Sequence, residues 1–427
     1  MKKEDLYNFC VDLFPICRSI TGNGVRETLS MIQSLISGLT IQEVPTGTKA
    51  FDWEVPKEWN IHDAYIIDPK GQKFCEFSQS NLHIVGYSAP VDQVMPLETL
   101  QEHLHSLPGQ PDAIPYITSY YKENWGFCLP HNFRQSLIPG NYRVLIDSEL
   151  TNGHLTYGEL ILPGESTQEI FLSTYICHPS MANNELSGPA VTTHIAKWLK
   201  TCQNRYYTYR IIFIPETIGS IVYLSRNLPT MQKNMIAGFN VTCVGDNGNF
   251  SYLSSRYGNT LADRVAKHIL KYKHPDFIEY SFLERGSDER QYCSPGVDLP
   301  VVSIMRSKYG EYPEYHTSLD NLEFISSGAL TSSFNVLKTC IESLELNNVY
   351  QTATLCEPQL GKRGLYPSLS TKGSNFIVCD MMNLIAYCDG NNDLLAIAEI
   401  INVPIWELFS IVDKLVEHGL LLMDINT

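Results

Sequence analysis

Apolar residues in the first forty positions recur at intervals of three and four, from Leu6 through Leu39, the spacing that lines one face of a helix. Within that stretch SITGNGVRETLSMIQSLI reads as a glycine-bearing turn feeding an amphipathic helix. From about Ile41 to Tyr157 the pattern shortens, and IQEVPTG, AYIIDP, HIVGYSAP and YRVLIDSEL are strand-length runs broken by Pro, Gly and Asp. This predicts an inserted, mainly β subdomain over residues 41–157. From Glu169 the runs EIFLSTYIC, YRIIFIPE, IAGFNVTCVG and LPVVSIMR alternate with the helical segments AVTTHIAKWLK, SIVYLSRNL, TLADRVAKHILKY and SGALTSSFNVLKTCIESL. Such alternation implies crossover connections. The expected fold class is α/β, a mixed, mostly parallel sheet flanked by helices, built from residues 1–40 and 158–348.

After the Gly/Pro-bearing connection CEPQLGKRGLYPSLS come MMNLIAYCDG, DLLAIAEIINV, PIWELFSIVDKLVEHGLL and a wing near LLLMD. Their order predicts a C-terminal winged helix-turn-helix over 349–427. Its charge changes what that module is expected to do. From Phe376 to Thr427 Lys414 stands against eight acidic residues, and the would-be recognition helix brings Glu407, Asp413 and Glu417 toward phosphate. The formal net charge of the 427-residue chain is −15, opposing nucleic acid and anionic membrane alike. Trp406, Leu408, Phe409 and Leu415 are therefore expected to serve the module's own core and a protein contact, through intrachain docking or homo-oligomer assembly.

The opening MKKEDLYNFCVDLF lacks the apolar core of a signal peptide, and no apolar run approaches the roughly 20 residues that span a bilayer. Twelve cysteines occur without a CxxC pair, which reads as a reduced, cytoplasmic protein. Cys177 beside His178 offers a nucleophile, but its neighbours read better as a metal site.

In an open α/β sheet ligands gather beyond the carboxyl ends of the strands. His178 closes EIFLSTYICH, Glu216 closes YRIIFIPE, Asp246 closes FNVTCVGD, and His316 follows LPVVSIMR within YPEYHTSLD. Two imidazoles and two carboxylates suit zinc when no thiolate is used. Asn184 lies in HPSMANNELSGPAV, where small Ser187 and Gly188 let a helix start pack close to the sheet; Asn183, Asn184 or Ser187 could equally cap that helix. The loop RGSDERQYC offers Asp288, Glu289, Arg290, Gln291 and Tyr292, either as a substrate pocket or as a salt-bridged turn. Arg290 could clamp a carboxylate in two parallel hydrogen bonds. In ITSYYKENWGF the aromatics Tyr120, Tyr121, Trp125 and Phe127, with His83 nearby, read either as a cleft or as subdomain core.

The set STYICHPS, NNELSGPA, IPETIGSIVYL, VTCVGD, RGSDERQYCSPG and YPEYHTSLDN resembles the aminopeptidase-like zinc exopeptidases. LFPICRSITGNGVRETL, PTGTKAFDWEVPKEWNI and PDAIPYITSYYKENWGFC extend the resemblance, across most of the chain, to bacterial polysaccharide-biosynthesis proteins with an aminopeptidase-like domain. The resemblance implies one or two zinc ions: His178 and Asp246 on one, Glu216 and His316 on the other, and the Asn184 position between them. It also implies a small peptide or aminoacyl substrate. Three departures stand out. The bridging position, normally aspartate, is Asn184; the paired glutamates at the second strand end are Pro215 and Glu216, leaving Glu185, Asp288 or Glu289 as substitute bases; and Ser180 replaces an aspartate that orients the imidazole. Three functions are compatible with this: a zinc-dependent aminopeptidase-like hydrolase, an altered metal-binding protein that recognises an aminoacyl or amino-sugar intermediate, and a non-enzymatic regulator using the winged helix.

Overall fold

A computed structural model describes residues 3–120, 122–365 and 374–423. Two units are formed, Met1–Asp263 with Phe277–Asn335, and Arg264–Asp276 with Val336–Thr427.

The first unit is built on an eight-stranded sheet in the order Thr40–Pro45, His154–Leu162, Thr208–Ile214, Glu169–Tyr175, Met235–Asn240, Val301–Met305, Ser251–Leu253, Ile278–Tyr280. The central four strands are mutually parallel. Glu169–Tyr175 and Val301–Met305 are buried along their whole length, which is why they read as continuous apolar runs rather than alternating ones. Helices Ser187–Thr201, Ile218–Asn234 and Ser327–Glu345 supply or follow the crossovers.

Strand Thr40–Pro45, read from sequence as the opening of the inserted domain, instead pairs antiparallel with His154–Glu159 in the large sheet. The chain thus leaves for the insertion and returns from it on two adjacent strands. The insertion carries its own antiparallel sheet, Lys73–Phe74, Glu58–Ile67, Asn141–Thr151, Val91–Pro96, over a core that includes Leu100, Phe127, Tyr142, Val144 and Ile146.

In the second unit the helices Ser374–Tyr387, Leu394–Ile401 and Ile405–Glu417 accompany a three-stranded sheet of Asp389–Asp393, Val349–Thr352 and Leu421–Met423, a winged helix-turn-helix. Asp393 caps the second helix by accepting from the Ala396 N–H, and Asn402 ends it in the left-handed region at φ 55°. The third helix buries Ile405, Leu408, Ile411, Val412 and Leu415 and leaves Glu407, Asp413, Lys414 and Glu417 exposed. Among the described residues no single helix is long and apolar enough to cross a membrane.

Candidate metal centre

Register explains why His178 and Glu216 meet. Tyr175 is paired in parallel with Ile214, so the residues that follow each strand emerge at the same sheet edge. His178 Nε2 lies 3.7 Å from Glu216 Oε2. The His316 ring is centred 5.4 Å from that of His178, and its Nε2 is buried without a hydrogen-bond partner. These three side chains line a cavity of about 260 Å³ together with Ile20, Tyr116, Thr118, Tyr120, Cys177, Thr217 and Arg290. Burial holds both imidazoles neutral, each pushed down to about 3. Neutral imidazole is the form that binds a metal.

The far side of His178 is fixed by protein. Its Nδ1 is 3.0 Å from Glu185 Oε2, while Glu185 Oε1 is 3.3 Å from Arg18 Nε, both side chains wholly buried. Arg18 also donates to the carbonyls of His178 (3.0 Å) and Leu13 (2.8 Å). Burial raises the Glu185 carboxyl to about 8 against the pull of Arg18. Glu185 therefore orients the imidazole, the task expected of the position Ser180 occupies; the Ser180 hydroxyl donates instead to Phe14 O at 2.6 Å. A carboxylate on the remote nitrogen sets tautomer and basicity, and it leaves Glu185 unable to act as a base in the cavity.

Sγ of Cys177, a ring nitrogen of His178 and a carboxylate oxygen of Glu185 lie within 4.8 Å of one another. This trio is a poorer metal site, because Glu185 is spent on His178 and Arg18, and burial drives the Cys177 thiol far above its usual range. The sulfur accepts from the Glu216 N–H at 3.2 Å, a contact that favours the thiolate, but burial outweighs it and leaves Cys177 a poor nucleophile.

The other predicted residues separate from this centre. Asp246 Oδ1 accepts from Gly248 N–H (2.6 Å) and the Ser307 hydroxyl (2.8 Å), and Oδ2 from Ser307 N–H (3.1 Å) and the Asn183 amide (2.9 Å). Four donors satisfy the carboxylate, so the expectation that it binds zinc is replaced by a structural role. Asn184 donates from its amide to the Tyr175 hydroxyl at 2.8 Å and keeps Oδ1 buried without a partner; Thr242 Oγ1 donates to the Asn184 carbonyl at 3.1 Å. At the expected bridging position the protein offers a neutral amide oxygen in place of a carboxylate.

Asp288 Oδ1 accepts from Thr217 N–H and the Ser220 hydroxyl, both at 2.8 Å, so it caps the helix Ile218–Asn234. Glu289 accepts from Tyr309 OH (2.6 Å), Gly286 N–H (2.9 Å), Ser287 N–H (3.0 Å) and the Asn240 amide (3.1 Å). Neither lines the cavity, and both are wholly buried; the Glu289 oxygens are taken up by these donors, whereas Asp288 keeps Oδ2 buried without a partner. Tyr292 is buried with its hydroxyl 2.8 Å from Ser173, and Gln291 does not line the cavity. Of that loop Arg290 alone reaches the cavity, donating to Thr217 Oγ1 at 2.6 Å with Nε buried and unpartnered.

The aromatic segment divides. Tyr120 lines the cavity, Phe127 is core, and Trp125 stacks on His103 at 3.6 Å; Tyr121 lies outside the described residues. His83 Nδ1 is 2.8 Å from Cys128 O inside the insertion. Sequence reasoning missed Tyr116, Arg18 and Asp320. Asp320 takes the N–H groups of Asn183 (2.6 Å) and Asn184 (2.9 Å) on its two carboxylate oxygens, pinning the buried π turn Ala182–Leu186. A signal existed for all three, since each lies in a stretch that carries the family resemblance.

Residues 7–347 match a domain family of unknown function, DUF4910, and 348–423 match a winged helix-turn-helix family. A protein of Clostridium acetobutylicum, provisionally described as a polysaccharide biosynthesis protein with an aminopeptidase-like domain, is 47% identical over 397 residues, 92% of this chain and 90% of its own. The chain belongs to this aminopeptidase-like family. A crystal structure from the same organism, provisionally described as a peptidase, superposes with a TM-score of 0.93 at 45% identity, covering 99% of this chain and 96% of that one. The zinc aminopeptidase BSAP of Bacillus subtilis superposes with a TM-score of 0.58 at 13% identity, covering 80% of this chain and 95% of that one, a likeness of fold alone.

His178, Glu216 and His316 line one cavity, with His178 Nε2 3.7 Å from Glu216 Oε2 and His316 Nε2 buried and unpartnered; two imidazoles and a carboxylate are donor types that fit one zinc with a coordination position left for a ligand. The positions around Asn184 and Asp246 do not fit a second, since no uncommitted carboxylate is present there to offset its charge.

Proposed function

We propose that the protein is a single-zinc, aminopeptidase-like hydrolase that cleaves an amide bond in a small aminoacyl or amino-sugar compound, in keeping with the polysaccharide-biosynthesis description of its relative. The observation that carries this reading is that His178, Glu216 and His316 line one cavity, His178 Nε2 lying 3.7 Å from Glu216 Oε2 and His316 Nε2 being buried without a partner. His178, Glu216 and His316 would hold the ion. Zinc there supplies Lewis-acid chemistry, polarising a carbonyl. The cavity walls supply the rest: Arg290 offers a cation to an anionic group of the ligand, and burial keeps the Tyr116 and Tyr120 phenols protonated as hydrogen-bond donors. About 260 Å³ suits a compound of one or two residues rather than a folded protein.

Metal analysis after zinc loading and desalting should give one zinc per chain, reduced to background in His316→Ala. A panel of aminoacyl anilides and N-acylated amino sugars, assayed with added zinc, should then reveal a substrate. A chain that retains no zinc, or two, overturns the single-ion reading.

One observation favours a second reading, a zinc protein that binds such a compound without cleaving it: none of Glu185, Asp288 and Glu289 lines the cavity, and Pro215 stands where the general base is expected. Zinc retention with ligand binding by calorimetry and no turnover anywhere on the panel would select it.

A further inference from the structure

The backbone at His316 is held in the left-handed region at φ 54°, a conformation that costs a residue with a β-carbon on the order of a kilocalorie or more. What over-determines it comes from the inserted domain. Gln110 donates to Pro313 O at 2.6 Å, Ile114 N–H to Ser318 Oγ at 2.9 Å, Ser318 N–H to Ile114 O at 2.9 Å and Tyr116 N–H to His316 O at 2.9 Å. Pro115 and Thr317 form an antiparallel bridge at the centre of this ladder. The Tyr116 ring reaches both imidazoles. It lies edge-on to His316 at 5.1 Å and tilted against His178 at 5.3 Å. Tyr315 covers His316 by stacking on it at 3.8 Å. The Tyr116 hydroxyl is in turn 2.8 Å from that of Tyr120, so the ring has little freedom to rotate away.

We propose that Tyr116, delivered by the inserted domain, is a positioning residue for the metal-binding pair: its N–H fixes the His316 peptide and its ring wedges the two imidazoles at their separation. The insertion is then a working part of the centre, and a main-chain strap from it replaces the rigidity that a second metal ion would lend. The inference rests on the single-zinc reading above, and the two can fail separately.

The test uses the full chain with Tyr116→Ala, Tyr116→Phe and Ser318→Ala. Zinc affinity is measured by competition with a chromophoric chelator, and coordination geometry from the visible spectrum of the cobalt(II)-substituted protein. Removing a group that orients a ligand typically costs about 10- to 100-fold in metal affinity. Tyr116→Ala should weaken zinc binding by roughly that factor and alter the cobalt spectrum. Tyr116→Phe, which keeps both the ring and the N–H, should restore affinity and spectrum. Ser318→Ala, which removes one rung of the strap, should fall between them. If wild type binds zinc and Tyr116→Ala binds it equally well with the same cobalt spectrum, the positioning role is wrong. Absence of zinc binding in wild type itself overturns the single-zinc reading instead.

Discussion

At the scale of single residues the centre is decided by where lone pairs are already spent. Asp246 accepts four hydrogen bonds from protein groups, so Asp246→Asn, which turns one acceptor into a donor facing donors, should lower stability by roughly 1–3 kcal/mol. It should leave zinc content unchanged; lost zinc would return Asp246 to the ligand set. Glu185 behaves oppositely. Arg18 and Glu185 are both wholly buried, and leaving the Arg18 guanidinium and His178 without their buried acceptor costs about 1–3 kcal/mol. Glu185→Gln should therefore melt markedly lower and also weaken zinc binding about 10-fold through His178. Unaltered affinity would show that the imidazole needs no carboxylate behind it.

At the scale of elements, the helix starts that border the site depend on groups far away in sequence. The helix Ile218–Asn234 has no side-chain cap of its own at Thr217, and Asp288 serves that end by taking the Thr217 N–H and the Ser220 hydroxyl. A carboxylate there also meets the positive end of the helix. Asp288→Ala should cost about 1–2 kcal/mol in urea unfolding, with zinc affinity within a few-fold of wild type if the residue is a cap and not a participant. The helix Ser187–Thr201 depends on close approach, since a β-carbon on Gly188 would sit 2.4 Å from Val241 O and 2.5 Å from Thr174 Oγ1. The sequence expectation that a small residue lets this helix pack on the sheet thus acquires a contact.

For the whole molecule the two units offer separate readouts. In the second unit His268 accepts from the Ile405 N–H through Nε2 at 2.9 Å, at the start of the third helix of the winged module. Burial, with Lys271 and Arg264 adding to it, lowers the imidazole to about 4 from 6.5. Stability from this bond is fully present above about pH 6.5 and is lost as pH falls toward 4, because the unfolded chain takes up the proton first. Melting of this unit followed by circular dichroism should fall across that window, and His268→Gln, an acceptor that does not titrate, should flatten the decline. The acidic face of Ile405–Glu417 leads to an expectation for gel shifts with duplex DNA at low salt, namely no retardation; tight binding would revive the regulator reading.

Periodicity and residue type alone determined the α/β alternation and the winged module, and marked the strand ends proposed to carry chemistry. These are local properties, set by which face of an element must be buried. Strands as short as Ser251–Leu253 and Ile278–Tyr280 escaped because three residues carry no readable period. His178, Glu216 and His316 were legible as candidates because each follows a buried strand. The choice between a proposed ligand and a structural carboxylate was not legible, since Asp246, Glu289 and Glu216 are chemically alike and differ in how many donors the fold aims at them. Glu216 keeps 21% of its side chain exposed, whereas Asp246 and Glu289 are enclosed by donors from segments up to 63 residues away along the chain. Tyr116 and Arg18 took on their roles through contacts spanning 200 and 160 positions. No spacing rule reaches that far, because such proximity exists only once the chain has closed on itself.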